Sequence, residues 1–172
     1  LSVMTTQSMA FVGFYSTLFA VASMISLPAK ALNRTSYQLV SEAWRHRDMA
    51  KIGKIYYKTS VVQCLIGCLL FIGLIINKQH VVHSLHKPEY DQYFNILIVI
   101  GIAFLIDITG GLNGHIINSS KQYKLVTFLS MTAAVSIVIL NFLLIPGYGM
   151  MGAAIAYLLT MIALNIAYHL FI

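Results

Sequence analysis

Three stretches of this sequence contain no Asp, Glu, Lys or Arg: residues 1–29, 59–77 and 125–172. A helix that crosses the hydrocarbon core of a bilayer needs about 20 consecutive, mostly apolar residues. The first two runs each hold one such helix, and the third is long enough for two. A fifth apolar run, from about Phe94 to Ile117, is interrupted by a single charge, Asp107. The composition agrees: apolar residues make up 59% of the chain and charged residues 9%, against about 45–50% and about 25% in soluble domains. A soluble fold of this size could not remove so much apolar surface from water. Two cysteines are too few for a disulfide scaffold, and the hydrophobicity excludes disorder. The fold class expected is therefore an all-α integral membrane protein with five transmembrane helices.

The expected boundaries are spans at 3–28, 58–77, 94–117, 125–145 and 152–172. Between them lie an amphipathic connector at 29–57, a loop at 78–93, a short loop at 118–124 and a turn at 146–151. Pro146, Gly147 and Gly149 supply that last turn, because proline lacks a donor and glycine relaxes the backbone. The chain starts with Leu1 and stops inside an apolar run, so we expect it to be an internal or C-terminal segment of a longer protein.

The first and third connections carry Lys30, Arg34, Arg45, Arg47, Lys51, Lys54, Lys58, Lys121 and Lys124, whereas the second carries only Lys78 and Lys87. Cytoplasmic loops concentrate Lys and Arg, so the first and third face the cytoplasm and the second and fourth face outward. This accounts for the net charge of +6 without nucleic acid, for which a base-reading or stacking face would be needed. In the 29–57 connector, Tyr37, Val40, Ala43, Trp44, Ile52, Ile55 and Tyr56 recur between basic residues. That spacing predicts one or two short amphipathic helices lying at the interface and broken near His46-Arg47-Asp48.

Asp107 is the first candidate binding residue. An ionised carboxylate in mid-span costs about 2.5 kcal/mol or more, so it faces a partner or a water-filled cavity. Asp107, Gly110, Gly111, Gly114 and Asn118 fall at helical spacing on one face, where the glycines let a ligand or another helix approach the backbone. The competing reading is an Asp that only hydrogen-bonds a neighbouring helix. Asn113 is a candidate polar cavity residue, and His115, Asn118, Ser119 and Ser120 cluster toward the same end. Arg34 could hold an anionic headgroup through its fork of donors, although it and Lys30 also serve as topology-setting charges. Gly152 and Ala153, in a stripe with Gly149 and Ala156, mark close helix packing.

No metal or cofactor is expected. His80, His83 and His86 are spaced at three-residue steps that rotate off a common helix face. Cys64 and Cys68, one turn apart, read as small apolar residues.

The last hairpin resembles a known family. Asn141-Phe142-Leu143-Leu144-Ile145-Pro146-Gly147-Tyr148-Gly149-Met150-Met151-Gly152-Ala153-Ala154-Ile155-Ala156 is similar to the hairpin N-x-x-L-I-P-x-Y-G-x-x-G-A-A-x-A of Wzx-type polysaccharide-biosynthesis flippases. These belong to the multidrug/oligosaccharidyl-lipid/polysaccharide exporter superfamily. The stretch Ser41-Glu42-Ala43 with Asp48-Met49-Ala50-Lys51-Ile52 resembles that family's basic connector. Gly110-Gly111-Leu112-Asn113-Gly114 with Ser119-Ser120-Lys121-Gln122-Tyr123 resembles its penultimate cytoplasmic loop.

The resemblance implies most of the C-terminal lobe of a two-lobed exporter bundle of twelve to fourteen helices, with the N-terminal lobe of the same protein as partner. It implies a transporter, not an enzyme. By alternating access in the bacterial inner membrane, such a protein would flip an undecaprenyl-diphosphate-linked oligosaccharide for O-antigen, lipopolysaccharide or capsule synthesis. Membrane lipids, a glycan polymerase and glycosyltransferases would be further partners. The spans hold no basic residue for the diphosphate, which leaves that task to the other lobe or to Arg34. Two alternatives are a cation-coupled multidrug exporter of the same superfamily and a membrane-embedded glycan polymerase. For the polymerase, only His80, His83, His86, Glu89 and Asp91 are available in the outer loop.

The charge asymmetry makes a direct prediction about sidedness. In intact cells, an impermeant thiol reagent should label His83→Cys and leave Lys51→Cys untouched. Labelling of Lys51→Cys from outside would reverse the orientation.

Overall fold

Charge-free runs of this kind have to satisfy every backbone polar group within the segment itself, which in hydrocarbon means a helix. The computed structural model describes residues 2–85, 88–119 and 123–171, and among them there is no β-strand. Helix α1 (Ser2–Ser23) runs through a 3-10 turn at Met24–Ser26 into α2 (Leu27–Arg45). Pro28 sits in the first turn of α2, where its missing N–H deprives no intrahelical bond. Helix α3 (Met49–Ile76) follows, then α4 (Lys78–Ser84) and a 3-10 turn at Pro88–Asp91. The chain continues as α5 (Phe94–Thr109), α6 (Asn113–Ser119) and α7 (Tyr123–Leu170).

Among the described residues, four helical segments are long and apolar enough to span a bilayer: Phe11–Arg45, Met49–Ile76, Phe94–Ser119 and Lys124–Leu170. The last has 47 residues, about 70 Å if straight at 1.5 Å per residue, which is more than twice the hydrocarbon thickness. It does not run straight. Gly149 adopts φ 56°, ψ −135°, and the chain reverses there. The hydroxyls of Ser130 and Tyr168, equidistant from Gly149 in sequence, consequently meet at 3.2 Å. A methyl at Gly152 would stand 2.5 Å from the Leu144 carbonyl oxygen, so glycine is what lets the two arms of α7 leave the reversal so close together. Ala154 and Ala156 are buried while Ala153 is half-buried. The chain is an all-α, multi-pass membrane protein whose α7 supplies two crossings, five in total.

Between Asn95 and Asp107, helix α5 is apolar on every side, the pattern of a helix enclosed by others. It lies at the centre, with Leu97, Ile100 and Ala103 fully buried. Its upper part joins Leu18, Ala22 and Ala154 in one core cluster. Three rings close this cluster edge to face: Phe19 lies 5.3 Å from Phe104 and 5.2 Å from Tyr157. Such pairs add about 0.5–1.5 kcal/mol beyond their buried area.

The segment expected as a flat interfacial connector is built differently. Helix α2 continues the first span, α3 begins at Met49, and the two stand as an antiparallel hairpin. The break falls at His46–Asp48, with Arg47 at φ 56° and the Asp48 carboxylate accepting from the Lys51 N–H at 2.9 Å as an N-cap. Apart from Tyr37, which is exposed, the periodic apolar residues pack against protein. Val40, Ala43 and Ile52 pack with Leu112 and Ile116 of the neighbouring segment, flanked by Trp44, Ile55 and Tyr56. A stripe that a sequence offers to a membrane surface is here absorbed by a third helix.

Three other boundaries change. The 78–93 loop contains α4 and a 3-10 turn, tied by a Lys78–Asp91 ion pair at 2.9 Å. The turn expected over 146–151 contracts to Gly149, with Pro146 remaining helical. The span expected over 94–117 is interrupted between α5 and α6, where Gly111 adopts φ +57°. His86, Lys87, Ser120, Lys121 and Gln122 lie outside the described residues.

The Gly111 conformation yields a stability prediction. Alanine there would meet the Ser60 hydroxyl and hold a left-handed backbone that costs an L-residue about 1–2 kcal/mol. Gly73 is helical with open space around it, so Gly73→Ala should be neutral or slightly stabilising. Thermal unfolding of the solubilised variants should therefore lower the midpoint for Gly111→Ala alone. Equal midpoints would mean that the break is not held where the structure places it.

Candidate functional site

A polar cavity of about 320 Å³ opens beside the interruption between α5 and α6. Ser26, at the end of the 3-10 turn, and Ala29, Lys30 and Asn33 of α2 recur at i, i+3, i+4 and i+7 and so form one face. The α5–α6 segment contributes Asp107, Gly110, Gly111, Asn113, Gly114, His115 and Asn118. The arms of α7 contribute Val126, Asn165 and Tyr168.

The sequence argument placed Asp107 and the glycines on the face of one continuous helix. That helix does not exist, since Gly110–Leu112 interrupts it, yet the same residues still converge on one cavity. The three glycines differ in need. A side chain at Gly110 would collide with the Asn165 amide, and one at Gly111 with the Ser60 hydroxyl. At Gly114 the nearest atoms, on the Tyr168 ring, stand at 3.8 Å, an ordinary contact, so space alone does not require glycine there.

Asp107 is exposed to this cavity, and no hydrogen bond or ion pair among the described residues occupies its carboxylate. The cation that acts on it electrostatically is Lys30, from the cavity's opposite wall. Sequence reasoning treated Lys30 chiefly as a topology charge. Arg34, one residue beyond Asn33, is exposed and is not among the lining residues. The site thus takes its basic group from one turn earlier than expected.

Asn113, a sequence candidate, is 4% exposed, and its Oδ1 has no donor among the described residues. A buried acceptor left unpaired costs about 1–3 kcal/mol, so the position is held open at measurable expense. Asn165 donates from Nδ2 to the Met161 carbonyl at 3.0 Å, which leaves its Oδ1 against Gly110. Behind the α2 wall, Gln63 of α3 is 1% exposed and donates from Nε2 to Asn33 Oδ1 at 2.6 Å, fixing that amide's orientation. A further bond between the Ser36 and Thr59 hydroxyls, 3.2 Å, ties α2 to α3 nearby. His115 lies against Tyr37, with ring centroids 5.3 Å apart.

A second, largely apolar groove of about 530 Å³ lies across the wall, lined by Ile102, Leu105, Ile106, Ile166 and Leu170. Gly110, Asn113 and Asn165 belong to both cavities and form the seam between them. Elsewhere, His80 and His83 share α4 while His86 is outside the described residues, and no group of three metal-ligating side chains occurs among those described. Cys64 and Cys68 are half-buried free thiols on α3.

Asn33, Gln63, Asn165 and Tyr168 were not singled out from the sequence. Asn33 and Lys30 carried a usable signal, a polar i, i+3 pair on the face of Ser26 and Ala29. Asn165, an isolated amide in a charge-free run, carried another.

No protein-family model and no solved structure matches this chain. Among characterised proteins it is 24% identical over 160 residues to the capsular polysaccharide biosynthesis protein CapF of Staphylococcus aureus, covering 92% of this chain and 40% of that one. It is 22% identical over 169 residues to the probable low-salt glycan biosynthesis flippase Agl15 of Haloferax volcanii, covering 98% of this chain and 35% of that one. The chain therefore spans less than half the length of these relatives. Its similarity is to proteins of polysaccharide biosynthesis and glycan flipping.

Proposed function

We propose that this chain forms most of the C-terminal lobe of a flippase that moves an undecaprenyl-diphosphate-linked oligosaccharide across the bacterial inner membrane. The glycan would serve O-antigen, lipopolysaccharide or capsule synthesis. The observation that carries the reading is the cavity that Asp107 and Lys30 line together with several uncharged amides, inside a bundle whose buried core is mostly apolar. An intramembrane acid opening on a polar cavity beside a broken helix is the usual setting of a transport site. The names of the two relatives support a glycan cargo over a drug.

In this reading no covalent bond is made or broken. Glycosyltransferases supply the lipid-linked glycan, the polar headgroup passes through the cleft between two lobes, and the hydrocarbon tail stays in lipid. A glycan polymerase consumes the product on the far side. The connection bearing Lys51 and Lys54 faces the cytoplasm, and the segment with His80 and His83 faces outward. The apolar groove beside the seam faces the acyl chains.

The test is a complementation assay in a strain lacking the gene. Asp107→Ala removes the one carboxylate in the cavity, and hydrogen bonds to a charged group are worth about 1.5–3 kcal/mol. Surface polysaccharide should fall about tenfold or more, with the variant inserted at normal abundance. Ile139→Leu, at an exposed position outside the cavity lining, should leave it unchanged. Unchanged surface polysaccharide in the gene deletion would overturn the flippase reading, and full restoration by Asp107→Ala would remove Asp107 from it.

A further inference from the structure

Charge balance distinguishes the two chemical halves of a lipid-linked glycan headgroup. A diphosphate brings at least two negative charges, and moving them out of water requires matching cations with good geometry. Among the described residues the cavity lining contains one lysine, Lys30, which is opposed by Asp107, and one histidine, His115. The other polar groups are the Ser26 and Tyr168 hydroxyls and a set of planar amides. Asn33 is oriented by Gln63, Asn165 presents Oδ1 toward Gly110, and Asn113 is nearly buried with an acceptor oxygen that has no donor among the described residues.

Carboxylate and amide oxygens at the wall of a small cavity are acceptors for hydroxyl donors. Amide N–H and ammonium groups are donors for hydroxyl oxygens. A ring bearing adjacent hydroxyls presents both partners at once. The unpaired Asn113 Oδ1 asks for a donor, which a phosphate oxygen lacks and a hydroxyl or N-acetyl N–H supplies. At about 320 Å³ the cavity is at the small end of ligand sites, in keeping with one or two sugar rings.

We propose that the cavity walled by α2, α5–α6 and α7 is a subsite for an uncharged glycosyl group, held by Asp107, Asn113 and Asn165, and that it does not hold the diphosphate. The proposal rests on the flippase reading and deepens it by dividing the headgroup. The glycan's sugar sits against this part of the protein, and the diphosphate is neutralised by cations outside this cavity.

The experiment uses the full-length protein in lipid nanodiscs, with Cys64 and Cys68 replaced by Ala and a reporter thiol at Asn118→Cys, at the exposed mouth of the cavity. The reporter variant is first checked for surface polysaccharide in cells. Maleimide labelling is then followed with two probes: oligosaccharide released from the host cell's own surface polysaccharide, and inorganic pyrophosphate. The oligosaccharide should slow labelling and pyrophosphate should not. Adding Asp107→Ala or Asn113→Leu should weaken that protection about tenfold or more. Lys30→Gln should change it by less than about threefold, because a hydroxyl-binding site keeps its acceptors.

Protection by pyrophosphate, abolished by Lys30→Gln, would overturn the proposal in favour of a diphosphate site. Absence of protection by the oligosaccharide, in a protein whose deletion removes surface polysaccharide, would overturn the subsite and leave the flippase reading standing. A deletion strain with normal surface polysaccharide would overturn the flippase reading itself.

Discussion

Hydrocarbon offers no hydrogen-bond partners, so a backbone that stops being helical inside a span must find them in protein or in a polar cavity. That constraint governs the interruption between Thr109 and Asn113. The Gly111 N–H turns to the Ile108 carbonyl at 2.9 Å, and the Asn113 N–H to the Gly110 carbonyl at 3.1 Å. These shorter turns keep the chain satisfied while changing its direction. Gly111 permits the left-handed step, and Gly110 lets the Asn165 amide come against the backbone. The cavity, its acid and its amides all assemble around this discontinuity.

The α2–α3 hairpin buttresses the break from one side. Its apolar stripe packs on Leu112 and Ile116, the residues that flank the start of α6. Its polar seam, Ser36 to Thr59 and Gln63 to Asn33, sets the rotation of α2 so that Lys30 and Asn33 look into the cavity. The second arm of α7 closes the opposite side with Asn165 and Tyr168, and the Tyr168 hydroxyl is held against Ser130 of the first arm. On the other side of the cavity's apolar surroundings, the rings of Phe19, Phe104 and Tyr157 pack together one helical turn before Asp107. The site is thus framed by one aromatic cluster, one polar seam and one hairpin.

Much of this frame is visible in the residues themselves. Asp107, Asn113, Gly110 and Gly111 stand out because charge, amide and glycine are each costly or unusual in a span, and the cavity gathers all four. The spacing of these residues gives Asp107 and the glycines, though not Asn113, one continuous helical face, which the left-handed Gly111 denies; the spacing is informative even though the helix is not intact. Guanidinium chemistry favours Arg34 over Lys30 for recognition. The rotation of α2 decides for Lys30, since the face that contains Ser26 and Ala29 passes through residue 30 and not through residue 34. The amphipathic connector was legible as a stripe, but a stripe does not say whether lipid or protein will cover it.

From its residues alone this chain is legible as a helical membrane protein with apolar runs long enough to cross a bilayer, although not with the boundaries those helices take. The sequence also determined that one of them carries a costly acid. A bilayer reads composition locally, over windows of about 20 residues, and needs no knowledge of the rest of the chain. Only the tertiary structure decided that Lys30, Asp107 and Asn165, far apart in sequence, face one cavity. It also decided that the turn expected over 146–151 narrows to Gly149 and that the stripe of α2 belongs to α3 and α6. Those outcomes depend on how each helix is rotated about its axis against its neighbours. That rotation is set by close packing at glycines and by buried hydrogen bonds between residues that no local window contains.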